Sequence, residues 1–450
     1  MSRELRGVAA LVGLFSAIYG LTGLFRHWHF GSNYDLAIFD QAVWHLSRLE
    51  PPASTVSGFS NILGDHFYPI IAAFVPLYWV APRVELLIAA QSLLFALSIV
   101  PVFLFLRRRL PHGSSLALAG AYGLFWGLQR AAAFDVHEVA FAPLIIATVI
   151  LAMDRRWWVL LWTSAFALTL VREDLLPLLT FVGIYLVLHG ERRKGAVLIA
   201  ASVAALVVVV GITIPFFGAG YNYGGPYVDL LRRPWTIPAA LVTPPAKLLT
   251  AVMWVAPFAL LPLLSPLAVL LVPFVMSRLL SDVSSHWSTT LHYSAPLAPI
   301  LAMSAGDAMA RLARRVHDEQ LRPRVVTGLT AASVLLALFL PGHQPLWNLF
   351  EPGHYVSTPV HRTGYRAMQR VPQSASVVAQ GAALPHLSQR EQAYILRPGA
   401  PEVDVIIASR ELDPWPQANY EEIRQLLDER RARGYKVVFD ENGWIVLLRN

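Results

Sequence analysis

The sequence predicts an α-helical polytopic membrane protein of about 11 transmembrane helices, with interfacial helices in the first outer loop and a small C-terminal α/β soluble domain. Three observations predict it. Of 450 residues, 55% are hydrophobic and 14% charged, against about 25% charged in a soluble domain, and the mean hydropathy is +0.50. Several windows of about 20 residues carry no charge, the length a helix needs to cross a bilayer. Basic residues gather in short clusters beside those windows, as the positive-inside rule requires.

The net charge of +7 does not indicate nucleic acid. Residues 342–450 hold 12 basic and 12 acidic residues, so the excess, 24 basic against 17 acidic, lies within 1–341. That distribution orients a chain in a membrane; it does not line a nucleic-acid groove. The absence of cysteine excludes disulfides, thiolate chemistry and cysteine–zinc sites. The opening "MSRELRGVAALVGLFSAIYGLTGLF" has a basic flank and about 20 apolar residues, too long a core for a cleaved signal peptide, and reads as an uncleaved first span.

With the N-terminus in the cytoplasm, since Arg3 and Arg6 precede span 1 (about 7–25), the loop 26–83 lies outside. Within it "HFYPIIAAFVPLYWVAP" (66–82) is short and holds three prolines. Counting it as a span would put Arg107, Arg108 and Arg109 outside, so it reads as an interfacial or re-entrant helix. Span 2 (84–106) ends at that arginine run. Span 3 (115–132) leads out to "FDVHE", and span 4 (139–153) returns to "DRR". Spans 5 (157–171) and 6 (175–189) flank "RED" (172–174), or form one broken hairpin around it. Span 7 (195–217) leads to a polar loop, 218–246. Spans 8 (247–263) and 9 (266–280) form a pair turning at Pro262 to Pro266. Span 10 (294–309) and span 11 (325–341) leave 342–450 outside. The cytoplasmic segments then hold 15 basic residues.

The tail is expected to form a separate domain, 342–450, beside a membrane domain, 1–341. "SASVVAQ", "VDVIIAS" and "GYKVVFDENGWIVLLR" read as strands, the last as a hairpin turning at Glu441-Asn442-Gly443. "NYEEIRQLLDERRARG" (419–434) reads as a helix with Asn419 as N-cap and Gly434 as its stop. "PGHQPLWNLFEPGHYVSTP" reads as the linker.

Ionisable residues near membrane depth are functional candidates by default. Asp35 and Asp40 lie in the first loop, with Asp65 and His66 at its end. Asp135, His137 and Glu138 follow span 3, and Arg172, Glu173 and Asp174 follow span 5. Asp229, Arg232 and Arg233 follow span 7. Asp282, His286, His292 and Tyr293 lie between spans 9 and 10. In the derived topology all are on the outer side. Each also has a plainer reading. Asp35 can cap the helix 36–48, which does not exclude catalysis. Asp40, five residues on, is about 140° around that helix, so the two acids do not form a close dyad. It reads equally as a buried hydrogen-bond anchor or a second site residue. Asp65 and His66 can cap the interfacial helix, "RED" can be an internal salt bridge, and Arg232-Arg233 a headgroup anchor. "DVHE" is too close-packed for a helical zinc spacing. No metal ligand is assigned, although a divalent metal held from several loops is compatible with the set.

The motifs "YDLAIFDQAVWHLS", "GDHFYPIIAAFVPLYW", "FDVHEVAFAPL", "VREDLLPLL" and "LPHLSQR", in this order, resemble a prokaryotic family of polytopic membrane proteins defined as a domain of unknown function. That family resembles the C-type (GT-C) superfamily of membrane glycosyltransferases, in which an acid follows the first span and "HFYP" parallels an "HPPL"-like segment before span 2. The resemblance implies a GT-C-like fold, a polyprenyl-phosphate-linked sugar as donor, and Asp35 as the catalytic acid by position. Here Asp35 is followed by Leu36, where the superfamily commonly has a second acid.

On that reading Asp35 serves as base, with Asp40 as a second catalytic candidate. His66, Asp135, His137, Glu138, Arg172, Glu173, His292 and Tyr293 bind substrate. Arg172 suits a leaving lipid phosphate, with His66 and His292 as alternatives, and Trp44, Tyr68 and Tyr293 can stack on sugar faces. Direct displacement inverts the anomeric carbon. Expected partners are the lipid-linked sugar, membrane lipids and a glycan, lipid or protein acceptor. Two competing readings are a lipid or glycolipid flippase, which predicts acids at mid-membrane and paired halves, and a non-catalytic assembly protein.

Overall fold

The computed structural model describes residues 3–218, 220, 230 and 232–449. Asp229 lies outside them. The fold is a helical membrane body carrying a small sheet domain at its C-terminal end. Helix α1 (Arg3–Trp28) covers span 1. Among the described residues four helical runs are long and apolar enough to cross a bilayer: Glu4–Trp28, Val84–Leu106, Arg192–Phe217 and Leu321–Phe339. These correspond to the expected spans 1, 2, 7 and 11.

The remaining expected spans are shorter helices, for physical reasons that lie in the sequence. Ala142–Arg155, Trp158–Thr169 and Leu176–Leu188 each follow or precede a loop that turns inward with charged residues. The pair expected at 247–263 and 266–280 departs most. Helix Ala246–Val255 runs into 3₁₀ turns, Ala259 and Leu260 take left-handed φ of 53° and 59°, and the return consists of short pieces up to Leu279. Pro257, Pro262, Pro266 and Pro273 each remove a donor from this stretch, so the turn falls at 259–260, ahead of Pro262. The loop expected at 218–246 contains a helix, Ile237–Val242, bent by 72° against the one that follows.

The loop 26–83 is built as a platform. Helix α2 (Tyr34–Ser47) buries Leu36, Phe39 and Val43 against Ile71, Phe74 and Tyr78. Those come from a 3₁₀ turn, Pro69–Phe74, continuing as α3 (Val75–Val80). At about 1.5 Å per residue this 12-residue segment is too short to cross. It leaves Trp79 and Val80 exposed, consistent with an interfacial element. Helix α4 (Val84–Leu97) follows and packs along α1.

The C-terminal sheet has the order β2-β1-β3-β5-β4, with β1 (Val377–Ala379), β2 (Ala393–Ile395) and β3 (Val405–Ser409) parallel. The antiparallel hairpin β4 (Lys436–Glu441) and β5 (Trp444–Leu448) turns at Asn442 and Gly443, whose φ of 44° and 81° suit a tight hairpin turn. Helix Tyr420–Ala432 is capped by the Asn419 side chain, which accepts from Glu422 N at 3.1 Å. It covers one face of the sheet through Ile423 and Leu427. Phe30, Ala37 and Val56 of the loop 26–83 enter the core on the other face. Burial on both faces explains why β3 is continuously apolar. The segment expected as a linker is partly ordered into turns, Pro345–Phe350 and Pro352–Tyr355, and Leu346 N donates to Gln129 Oε1 at 3.3 Å.

Candidate functional site

The site forms where four loops meet above the helices. Its base is set by the start of α2. Asn33 N donates to both Asp135 carboxylate oxygens at 3.1 Å, and Leu36 N donates to Asp135 Oδ2 at 3.2 Å. Arg26 at the end of α1 pairs with the same carboxylate at 2.7 Å. Asp135, from a distant loop, therefore takes the anion's place at the N-terminus of α2, and the Asp35 carboxylate is left to point elsewhere. Asp135 itself is buried and fully engaged, a structural post.

Asp35 meets His137, with Nε2 3.3 Å from Oδ2, and its side chain is 35% exposed. His137 stacks on His292 with ring centroids 3.9 Å apart, and Phe134 packs against both. His292 is buried, and among the described residues neither of its ring nitrogens has a hydrogen-bond partner. Burial, the neighbouring His137 and the nearby arginines hold it neutral, well below the ordinary imidazole value.

Beside this lies a charged network. Arg172 donates to Asp174 through Nε and a terminal nitrogen at 2.8 and 2.6 Å, and to Glu138 at 2.9 Å. Arg278 approaches Asp174 at 3.9 Å and lies over the Tyr293 ring at 4.8 Å. Although burial works against its charge, Asp174 is held well below the carboxylate range by Arg172 and Arg278. His66 pairs with Glu173 at 2.5 Å, and Phe67 N donates to the other Glu173 oxygen at 2.9 Å. Burial lowers the His66 proton affinity, but the Glu173 carboxylate outweighs it and leaves the imidazole above its ordinary value. The rings of Phe39 and Tyr68 connect His66 back to His137. Ser281 and His286 hydrogen-bond at 2.8 Å, with the His286 ring 5.0 Å from Tyr293.

The structure thus brings together Asp35, His66, His137, Glu138, Arg172, Glu173, His292 and Tyr293. Asp40 does not join them. Its buried carboxylate accepts from Tyr78 Oη, Ser388 Oγ (2.5 Å) and Gln389 Nε2 (2.9 Å), so it is the hydrogen-bond anchor and faces the C-terminal domain. Arg233 and Asp282 are exposed. Arg278 is the site residue that sequence reasoning passed over, counted within span 9. The signal was present: a lone arginine inside an apolar run is costly without a partner. For a metal, the acids fit poorly, since Glu138, Glu173 and Asp174 are each taken by Arg172 or His66. Among the described residues the one group with ligand atoms close enough for an ion is His45, Glu50 and Glu391. Arg48 already lies against both glutamates.

Fold and site together define a multi-pass helical membrane protein with a polar centre built from its loops. The chain belongs to the family described as predicted membrane protein (DUF2079), which matches residues 26–446. No curated protein matches it. Its fold is similar to the crystal structure of ArnT from Cupriavidus metallidurans in the apo state, with a TM-score of 0.55 and 13% identity over 99% of this chain and 98% of that one. It is also similar to ArnT from the same organism bound to undecaprenyl phosphate, with a TM-score of 0.52 and 13% identity over 98% and 97% of the two chains.

Proposed function

We propose that this protein is a membrane glycosyltransferase that moves a sugar from a polyprenyl-phosphate donor to an acceptor hydroxyl at the extracytoplasmic face, with Asp35 as general base. The observation that carries the reading is one juxtaposition: a partly exposed carboxylate, Asp35, in the same loop cluster as two buried arginines, Arg172 and Arg278, and a half-buried His66. Base and phosphate clamp are what this displacement needs. The acceptor hydroxyl gives its proton to Asp35 as its oxygen bonds to the anomeric carbon. The bond from that carbon to the phosphate oxygen breaks, and the lipid phosphate leaves with the electron pair. Attack from the face opposite the leaving group inverts the centre. Arg172 and Arg278 supply donors for the phosphate. The likeness of fold to a protein crystallised with undecaprenyl phosphate supports a polyprenyl carrier.

The sidedness is part of the proposal. At the end of the membrane body away from the site, Arg108 and Arg109 pair with Asp154, and Arg109 and Arg311 with Asp307. We assign this basic end to the cytoplasm on the positive-inside rule, and with it the N-terminus, leaving the sheet domain on the outer side. The test is release of labelled sugar from a panel of undecaprenyl-phosphate monosaccharides by protein in lipid nanodiscs. Transfer that disappears in Asp35→Asn supports the reading. Substrate movement across a bilayer without bond cleavage overturns it.

A further inference from the structure

We infer that His137 is the positioning residue of the site: a protonated imidazole that clamps one oxygen of Asp35 and leaves its other oxygen turned to the acceptor. The inference rests on the reading of Asp35 as base, and deepens it.

The proton inventory follows from geometry. His137 Nδ1 lies 2.9 Å from the backbone oxygen of Asp135. A carbonyl only accepts, so Nδ1 carries a proton. Nε2 lies 3.3 Å from Asp35 Oδ2. A bare nitrogen lone pair facing an ionised carboxylate would be repelled, so a second proton sits between them. The groups facing His137 place it on the imidazole. Asp35 faces it from α2 and Glu138 is its chain neighbour, with Arg172 beyond Glu138. His292, stacked on it from the other side, adds no competing charge because it is neutral. Burial works against the His137 cation, and the hydrogen bond and charge of Asp35, with Glu138, outweigh it.

Asp135 sets both halves of the pair. Its side chain holds the first amides of α2, which carries Asp35, while its carbonyl orients His137. The pair is therefore referred to one residue from two directions, and the His292 stack fixes the ring plane. During transfer His137 keeps both protons. The acceptor proton goes to the free Asp35 oxygen and leaves through the exposed edge of that side chain. As pH rises and His137 loses its Nε2 proton, the clamp turns repulsive and turnover falls.

Two measurements test this. The first needs no substrate: solid-state NMR of ¹⁵N-histidine-labelled protein in lipid bilayers, with His137 assigned by its loss in His137→Asn. The expected result is an imidazolium at pH 6.5 that deprotonates above that value, and that deprotonates at lower pH in Asp35→Asn. A His137 that is neutral at pH 6, or whose titration ignores Asp35→Asn, overturns the pair whether or not transfer occurs. The second is the pH profile of kcat with the undecaprenyl-phosphate panel. Wild type should lose turnover on the alkaline side. His137→Gln, which keeps a donor that does not titrate, should be flat there, and His137→Ala should lose about 10²-fold, the scale of a misplaced reacting group. An unchanged profile in both variants overturns the inference. An NMR pair intact in a protein that transfers no sugar sinks the glycosyltransferase reading alone.

Discussion

Ser388 donates its hydroxyl to the Asp40 carboxylate at 2.5 Å, joining the C-terminal domain to the loop 26–83 across 348 positions of chain. Gln389 and Tyr78 add donors to the same carboxylate, and Gln41 Nε2 returns a bond to Arg390 O at 2.8 Å. The motif "LPHLSQR" is thus a latch on α2, and α2 is the helix that carries Asp35 on another face. The sheet domain is tied to the element that presents the proposed base.

Asp40 therefore separates stability from catalysis. Burial raises its carboxyl to about 6, against three hydrogen bonds that lower it, from an unfolded value of 3.8. A native value above the unfolded one means that this group stabilises the fold below about pH 4 and that the gain is lost as pH rises through about 6. Asp40→Asn keeps the shape and removes the titration. It should hold or raise the melting temperature at pH 7.5 and flatten its dependence between pH 4 and 6. Asp40→Ala strands three buried donors and should lose about 3–5 kcal/mol. Thermal unfolding in nanodiscs across that pH range reads both.

Asp35 should behave in the opposite way. Its side chain is partly exposed and does not hold the N-terminus of α2. Asp35→Asn should melt within about 0.5 kcal/mol of wild type, as partly exposed substitutions do. Its turnover should fall about 10²–10⁴-fold, the worth of general-base help. Measured side by side, Asp35→Asn should lose turnover and keep its stability, whereas Asp40→Ala should lose stability. Near-normal transfer in Asp35→Asn would remove it as base.

Asp135 couples these two behaviours. Asp135→Ala frees the amides of Asn33 and Leu36 and unpairs Arg26. The lost cap alone is worth about 0.5–2 kcal/mol. The alanine keeps the carbonyl that orients His137 but unties it from α2, so the His137–Asp35 register should loosen and kcat fall as well, with KM for the donor little changed. Calorimetry and steady-state kinetics on one preparation check both.

Local signals in the sequence carried as far as local forces decide. The hairpin at Asn442-Gly443 and the helix begun by Asn419 and stopped by Gly434 were legible because turn and cap chemistry act within a few residues. The interfacial segment was legible because 69–80 is too short to cross. The role of Asp35 as a cap was the natural local reading, and it gave way to Asn33 at the N-cap and to Asp135, some hundred residues away, because the free amides of a helix end donate to whatever acceptor reaches them. The Asp40 latch depends on Ser388 and Gln389, which no spacing rule connects to it. The three-residue strand β2 is too brief to leave a periodicity, and its pairing with β1 is what makes it a strand. Arg278 was hidden by its apolar neighbours, in a stretch whose prolines broke the expected helices.

Arg278 and Arg172 should divide the phosphate clamp unequally. Arg172 neutralises Glu138 and Asp174 at hydrogen-bond distance, whereas Arg278 is 3.9 Å from Asp174 and lies over Tyr293. Arg172→Gln leaves the buried Glu138 and the half-buried Asp174 without their cation, so it should destabilise by about 3–5 kcal/mol and obscure its own role in binding. Arg278→Gln should fold and lose a charge-assisted contact to the donor, worth about 1.5–3 kcal/mol, or roughly 10–100-fold in affinity. Arg278→Lys keeps the charge without the planar fork, and should recover only part of it. Titration of nanodisc-embedded protein with undecaprenyl phosphate measures this directly. Equal binding by wild type and Arg278→Gln would take Arg278 out of the clamp.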